Sequence, residues 1–334
     1  MSGYRSAIIG CGAVSRIHAA AISAAGASLC AVCDIVPSRA ETYAQKTGAS
    51  VYTSFDKLLD SVELDVIHIC TPHYLHLPMA KEALRRGIST VLEKPPAMSY
   101  DEFRRLCRVE EESSASLCVC FQNRFNLTTE YVKDILDSKK YGELTGAAGT
   151  VTWNRQGEYY TESGWRGRYA TEGGSVLINQ ALHTLDLLNF FMGRPTGVRS
   201  VCANLSHSEI ETEDTVCAEI SYGGKNAVFY ATVSAAKSPD AQIRLFFERA
   251  QVDLTAHECI IRPLGGKTEI ISADEASVGK ECWGSSHARL IGRFYSGLES
   301  GENPCPLSSC RDTMEALSAI YGGGLKAAQR KEFI

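Results

Sequence analysis

A chain of 334 residues exceeds the usual size of one domain, so two domains with substantial cores are expected and a peptide-sized module is excluded. Its composition, 44% hydrophobic and 22% charged, is that of an ordinary globular protein and not of a disordered one. The 34 basic and 39 acidic residues leave a formal net charge of -5, which argues against a nucleic-acid partner, and no run of 18 apolar residues or apolar leader points to a membrane or to secretion, so a cytoplasmic setting is expected.

Over the first 120 residues short apolar runs alternate with amphipathic stretches. Strands are predicted at 6–10, 28–34, 51–52, 64–70, 88–93 and 115–120, with helices at 15–25, 38–47, 73–86 and 99–112. The strand segments LDVIHIC and ASLCVC are apolar on both faces, as in a parallel sheet covered by helices on both sides. After about residue 122 the rhythm changes. A helix at 127–138 and the segment GELTGAAGTVTW precede a leucine-rich helix at 175–190. β-type runs follow at 198–205, 214–222, 226–233, 241–248, 250–255 and 259–264, separated by breaks such as Gly223-Gly224 that favour hairpins and an antiparallel sheet. A penultimate helix carries Leu290, Phe294 and Leu298, and a last one is predicted over 308–328, with Met314, Leu317, Ile320 and Leu325 available for packing. The domains are drawn as 1–122 and 123–334.

Thirteen cysteines, an odd number at scattered spacing, mostly lie in apolar runs and are expected to be free core thiols. Cys30-Ala-Val-Cys33 has the spacing of a redox or zinc pair, but it falls inside a strand and has no second pair nearby.

Gly10-Cys-Gly12-Ala-Val-Ser15 lies between a strand and a helix, where the first glycine permits a tight turn and the second lets a pyrophosphate approach the helix N-terminus. Asp34 ends the next strand, placed to accept both ribose hydroxyls and to disfavour a 2'-phosphate, so NAD is expected over NADP; Arg39 is the counterargument. His73 and His76 follow the strand at 64–70, beyond the end where open α/β sheets bind ligands, whereas His68 inside it is expected to be packed. Lys94, in Glu93-Lys94-Pro95-Pro96, can reach the same crevice and donate to a substrate oxygen. In the second half Asn179, His183 and Asp186 share one face of the predicted helix, which suits a histidine base with polar neighbours. Asparagine is a poor zinc ligand and no HExxH pattern is present, so no metal is expected.

Taken together, GCGAVSRIHAAAI, VCDIVPSRA, TPHYLHLPMA, the EKP at 93–95 and GGSVLINQALHTLDLL resemble the Gfo/Idh/MocA family of nicotinamide-dependent sugar and polyol oxidoreductases over about residues 5–329. The resemblance implies an N-terminal Rossmann domain, a doubly wound parallel sheet, and a C-terminal α/β domain whose large, mostly antiparallel sheet often mediates homodimers or homotetramers. It implies that Gly10 and Gly12, with Ala13 and Val14, hold the pyrophosphate, that Asp34 holds the adenosine ribose, and that Thr71, Pro72 and His76 form the cofactor crevice. Glu93 would bind the nicotinamide-side ribose, and Lys94, often followed by a cis bond to proline, and His183 would be catalytic. The family usually has aspartate where this chain has Asn179, a departure that resembles a branch with a GG…NQ…H…D signature, acting in part on nucleotide-linked amino sugars. Arg124, Trp165 and Arg166 resemble pieces of that branch near substrate or nicotinamide; the plainer alternative is an arginine paired with acids and a tryptophan plugging a junction. The implied function is NAD-dependent oxidation of a secondary hydroxyl on a carbohydrate or cyclitol. Redox-neutral glycoside cleavage, epimerisation or elimination, and a non-enzymatic NAD sensor or scaffold, stay open as alternatives.

Overall fold

The computed structural model describes residues 3–273 and 286–323, which form two compact units. One unit holds the chain up to residue 122 together with 286–310, the other 123–273 together with 311–323. Leu325 and Cys282 lie outside the described residues.

The first unit is built on β1 (Arg5–Ile9), α1 (Ser15–Ala24), β2 (Ser28–Cys33), α2 (Pro37–Thr47), β3 (Ser50–Tyr52), α3 (Phe55–Ser61), β4 (Val66–Ile69), α4 (His76–Arg85), β5 (Ser89–Leu92), α5 (Tyr100–Glu111) and β6 (Leu117–Val119). Its six strands pair in parallel in the order β3-β2-β1-β4-β5-β6, so the order reverses direction at β1. Ile8, Ile67, Val91 and Leu117 are wholly buried, which is why these strands read as unbroken apolar runs. The short α3 had no strong sequence signal; Ser54 caps it by accepting from the Lys57 amide.

In the second unit, α6 (Leu127–Ser138), β7 (Leu144–Thr152), α7 (Gly157–Thr161) and α8 (Leu182–Met192) precede β8 (Gly197–Ala203), β9 (Thr215–Tyr222), β10 (Lys225–Thr232), β11 (Gln242–Phe247), β12 (Ala250–Leu254), β13 (Glu258–Pro263) and β14 (Glu269–Ser272). These eight strands form one sheet in the order β14-β13-β12-β11-β7-β10-β9-β8, antiparallel except where β10 runs parallel to β7. α9 (Ser286–Gly297) returns to the first unit and lies on α1. α10 (Arg311–Gly323) covers β8, where the Ser200 hydroxyl donates to the Ile320 carbonyl.

The helix predicted over 175–190 is two pieces. Val176–Gln180 is a π-helical turn, in which the Ala181 amide donates to the Val176 carbonyl, and the α-helix starts only at Leu182. Among the described residues no disulfide joins any of the twelve cysteines. Among the described residues no helix is long and apolar enough to cross a membrane.

Candidate functional site

In the first unit the glycine turn stands at the point where the strand order reverses. Gly10 has φ +87°, and a Cβ there would lie 2.7 Å from the Cys70 carbonyl oxygen, so only glycine fits between β1 and the end of β4. A Cβ on Gly12 would meet nothing within 4 Å, which leaves open the approach to the N-terminus of α1 that a pyrophosphate needs. Ala13 is exposed and Val14 half-buried on the same loop. Asp34 ties this loop down: Oδ2 accepts from the Cys11 amide at 2.8 Å and Oδ1 from the Val36 amide at 2.8 Å. Each oxygen keeps a second lone pair for a ribose hydroxyl. Beside it, Cys11, Arg16, Arg39, Thr42, Tyr43 and Lys46 line a cavity of about 260 Å³.

Thr71 and Pro72 are half-buried at the end of β4. His76 is fully buried, with Nδ1 2.7 Å from the Pro95 carbonyl and Nε2 2.9 Å from the Thr71 carbonyl, so its ring clamps two crevice loops together. Burial lowers its pKa despite those two acceptors. Lys94 follows β5, half-buried, and its bond to Pro95 is cis.

Glu93 is 8% exposed and sits in a network that sequence reasoning missed. Its Oε1 lies 3.0 Å from His18 Nε2 and 3.4 Å from His287 Nε2. His18 Nδ1 meets His68 Nδ1 at 2.9 Å, His68 Nε2 meets the Tyr295 hydroxyl at 2.9 Å, and that hydroxyl meets Ser6 Oγ at 2.6 Å. Burial alone would push the Glu93 carboxyl up, but the hydrogen bonds from His18 and His287 outweigh it and hold the group well below its usual range. Burial likewise keeps His68 and His287 below their ordinary value.

In the second unit Asn179 lies on the π-helical turn and His183 on the first turn of α8, both half-buried. Asp186, expected on the same helical face as His183, accepts from Arg124, whose Nε and Nη2 donate to its two oxygens at 2.8 and 2.5 Å; Thr313 donates to the same carboxylate. The Asn179 amide donates to Glu172 Oε1 at 2.6 Å, and Gly167 N–H donates to Glu172 Oε2 at 2.5 Å. Burial pushes the Glu172 carboxyl up to about 7. Arg166 lies over Tyr159, 4.2 Å from the ring centroid, and over Trp165 at 5.0 Å, while the Tyr159 hydroxyl accepts from Gln180 at 3.0 Å. Glu172 and Tyr159 join the sequence-predicted Asn179, Trp165 and Arg166 in one cluster; only the pairing of a buried acid with the departing asparagine could have flagged them.

A parallel sheet of this order, with an open glycine turn where its direction reverses, is the arrangement of dinucleotide-binding folds. Residues 4–121 match the oxidoreductase family with an NAD-binding Rossmann fold, residues 129–253 match the GFO/IDH/MocA C-terminal domain, and the chain belongs to that family. It is 33% identical to the D-glucoside 3-dehydrogenase of Escherichia coli over 64% of this chain and 60% of that one. It is 28% identical to the inositol 2-dehydrogenase of Rhizobium meliloti over 60% and 59%. The alignments thus span about three-fifths of these relatives. Among solved structures, the WlbA dehydrogenase of Bordetella pertussis in complex with NADH and UDP-GlcNAcA superposes with a TM-score of 0.84 at 26% identity, covering 96% of each chain.

Proposed function

We propose that the protein is an NAD-dependent dehydrogenase that oxidises a ring secondary hydroxyl of a sugar, glycoside, nucleotide-linked sugar or cyclitol. The observation that carries this reading is Lys94, held half-buried directly after β5 and the anchored Glu93, at the sheet edge where the glycine turn opens. Gly10, Gly12, Ala13 and Val14 would receive the pyrophosphate, Asp34 the adenosine ribose and Glu93 the second ribose, in a crevice bounded by Thr71, Pro72 and the His76 clamp. The bound nicotinamide supplies hydride acceptance. Lys94 polarises the carbinol oxygen and stabilises the developing alkoxide, and His183 takes the hydroxyl proton. Asn179, whose amide has no useful basicity, orients substrate together with Trp165 and Arg166, while Arg124 braces α8 through Asp186.

The names of the similar proteins, a glucoside dehydrogenase, an inositol dehydrogenase and a structure holding UDP-GlcNAcA, support a carbohydrate or cyclitol substrate. Gly173-Gly174, Asn179-Gln180, His183 and Asp186 support the GG…NQ…H…D branch. Screening glucosides, inositols and UDP-GlcNAcA for NADH formation tests the reading. Lys94→Ala should keep NADH binding and lose turnover by about 100-fold or more, the scale of a lost proton-transfer or oxyanion-stabilising group. His183→Ala should show a similar defect that eases at high pH. Turnover without net NADH would replace dehydrogenation by the redox-neutral cycle, and normal turnover in the Lys94 variant would remove the lysine from the chemistry.

A further inference from the structure

The buried chain behind Glu93 has no part in the proposed chemistry, yet it joins four distant elements of the first unit. Ser6 comes from β1, His18 from α1, His68 from β4, and Tyr295 with His287 from α9. All five side chains are at most 4% exposed. Five groups that can each hydrogen-bond to water have been withdrawn from it, a cost that buried networks recover only when every member is satisfied.

The contacts permit an assignment of hydrogens along His18, His68, Tyr295 and Ser6. With Glu93 ionised, His18 Nε2 carries the proton it donates to Oε1. His18 Nδ1 faces His68 Nδ1, so one of those two nitrogens donates and the other accepts. In the neutral arrangement His68 donates to His18, the Tyr295 hydroxyl donates to His68 Nε2, and Ser6 donates to Tyr295. Every link then points toward the carboxylate. The chain ends on wholly buried Ser6, so it does not conduct protons to water; it orients the ring of His18 and, through it, one oxygen of Glu93. Both histidine contacts fall on Oε1, and Oε2 takes no part in them.

We propose that His18 is a positioning residue, backed by His68, Tyr295 and Ser6, that fixes the Glu93 carboxylate by Oε1 so that Oε2 is presented to the nicotinamide-side ribose of the cofactor. This rests on the reading of Glu93 as a ribose acceptor. The groups that share the carboxylate's field include His18 on α1, His287 on α9, His76 on α4 and the thiols of Cys70 and Cys120. His18, Glu93 and His287 also place three ligand atoms within 4.8 Å of one another, the arrangement a metal ion would use, so the experiment must separate an organic hydrogen-bond network from a metal centre.

Calorimetric titration with ADP, ADP-ribose and NADH makes the test, because ADP lacks the second ribose and ADP-ribose has it without the nicotinamide. Wild-type protein should bind ADP-ribose more tightly than ADP. His18→Leu should weaken ADP-ribose and NADH by about 10- to 100-fold, the scale of a hydrogen bond to a charged group, and leave ADP unchanged. His18→Gln, whose amide can still donate to Oε1, should recover most of the difference. Should His18→Leu fail to fold, Tyr295→Phe removes only the hydroxyl behind His68 and should shrink the same ADP-ribose advantage. An undiminished advantage in a folded His18→Leu or Tyr295→Phe protein overturns the proposal. So does an equal loss for all three ligands, which marks a merely structural histidine, and so does a stoichiometric metal ion that disappears with His18. Wild-type protein that binds none of the three ligands refutes the cofactor reading itself; one that binds ADP but gains nothing from the second ribose refutes only the role of Glu93.

Discussion

Asp34 serves the fold and, under the proposed function, a ligand as well. Its bond from the Cys11 amide holds the glycine turn and its bond from the Val36 amide holds its own loop, and under the proposed function its charge disfavours a phosphate on the adjoining ribose. Arg16, Arg39 and Lys46 line the neighbouring cavity, so the proposed discrimination against NADPH rests on the Asp34 anion. NADH should bind clearly more tightly than NADPH in calorimetry, and Asp34→Ala should narrow the gap, chiefly by improving NADPH; equal affinities in the wild type would refute the assignment. Glu172 makes a different prediction. Its carboxyl titrates near 7 when folded, because burial outweighs the Gly167 and Asn179 hydrogen bonds and the Arg166 charge, with Glu213 adding repulsion. Unfolded, it titrates near the ordinary 4.5. The folded state therefore binds the extra proton between those values, and stability falls as pH rises through that window, by at most about 3 kcal/mol from this group. Thermal unfolding followed from about pH 5 to about pH 8 should show a shallower fall in Glu172→Gln than in the wild type; parallel curves would discard the raised pKa.

At the scale of elements, the placement of His183 depends on how α8 seats on β7. Gly149 faces that helix: a Cβ there would lie 2.9 Å from Leu188 Cδ1 and 3.1 Å from Thr184 Cγ2. Gly149→Ala should lift α8 and cost about 1–3 kcal/mol in thermal unfolding. Since Thr184 adjoins His183, turnover should fall while NADH affinity stays unchanged; loss of NADH binding would show that the strain reaches further than the helix. The run VLINQALHTLDLL reads as one helix because its apolar period is nearly continuous. It breaks because the Glu213 carboxylate, 38 and 36 residues away, accepts from the Ser175 and Leu177 amides and Ala181 closes a π-type turn. No local pattern carries that bond. The parallel strands, by contrast, were plain from their apolar runs, and β14 was not, because its residues alternate between half-buried and exposed without a fully buried position.

Over the whole molecule, alternate residues of the large sheet leave an apolar row open to solvent. Val228 and Tyr230 on β10 are 58% and 40% exposed, and Phe246 on β11 is 38% exposed. We infer self-association through this face, which implies that the protein sediments as a dimer or tetramer and that Val228→Lys with Tyr230→Lys shifts it toward monomer. A monomeric wild type at working concentration would refute it.

By itself, the sequence determined the strand-helix rhythm of the first unit, the hairpin-rich second sheet, the glycine turn, Asp34 and the Lys94 position. Those features depend on local requirements: a residue period, a positive φ at Gly10, a short polar side chain at a strand end. Only the tertiary structure decided who pairs with whom. The segment 286–310 returns to the first unit, His68 is packed as its strand position foretold yet bonded to Tyr295, 227 residues on, and Asp186 accepts from Arg124, 62 residues before it. Such partners are selected by burial, because a polar group withdrawn from water must find a mate wherever the chain happens to bring one, and sequence spacing does not record that distance.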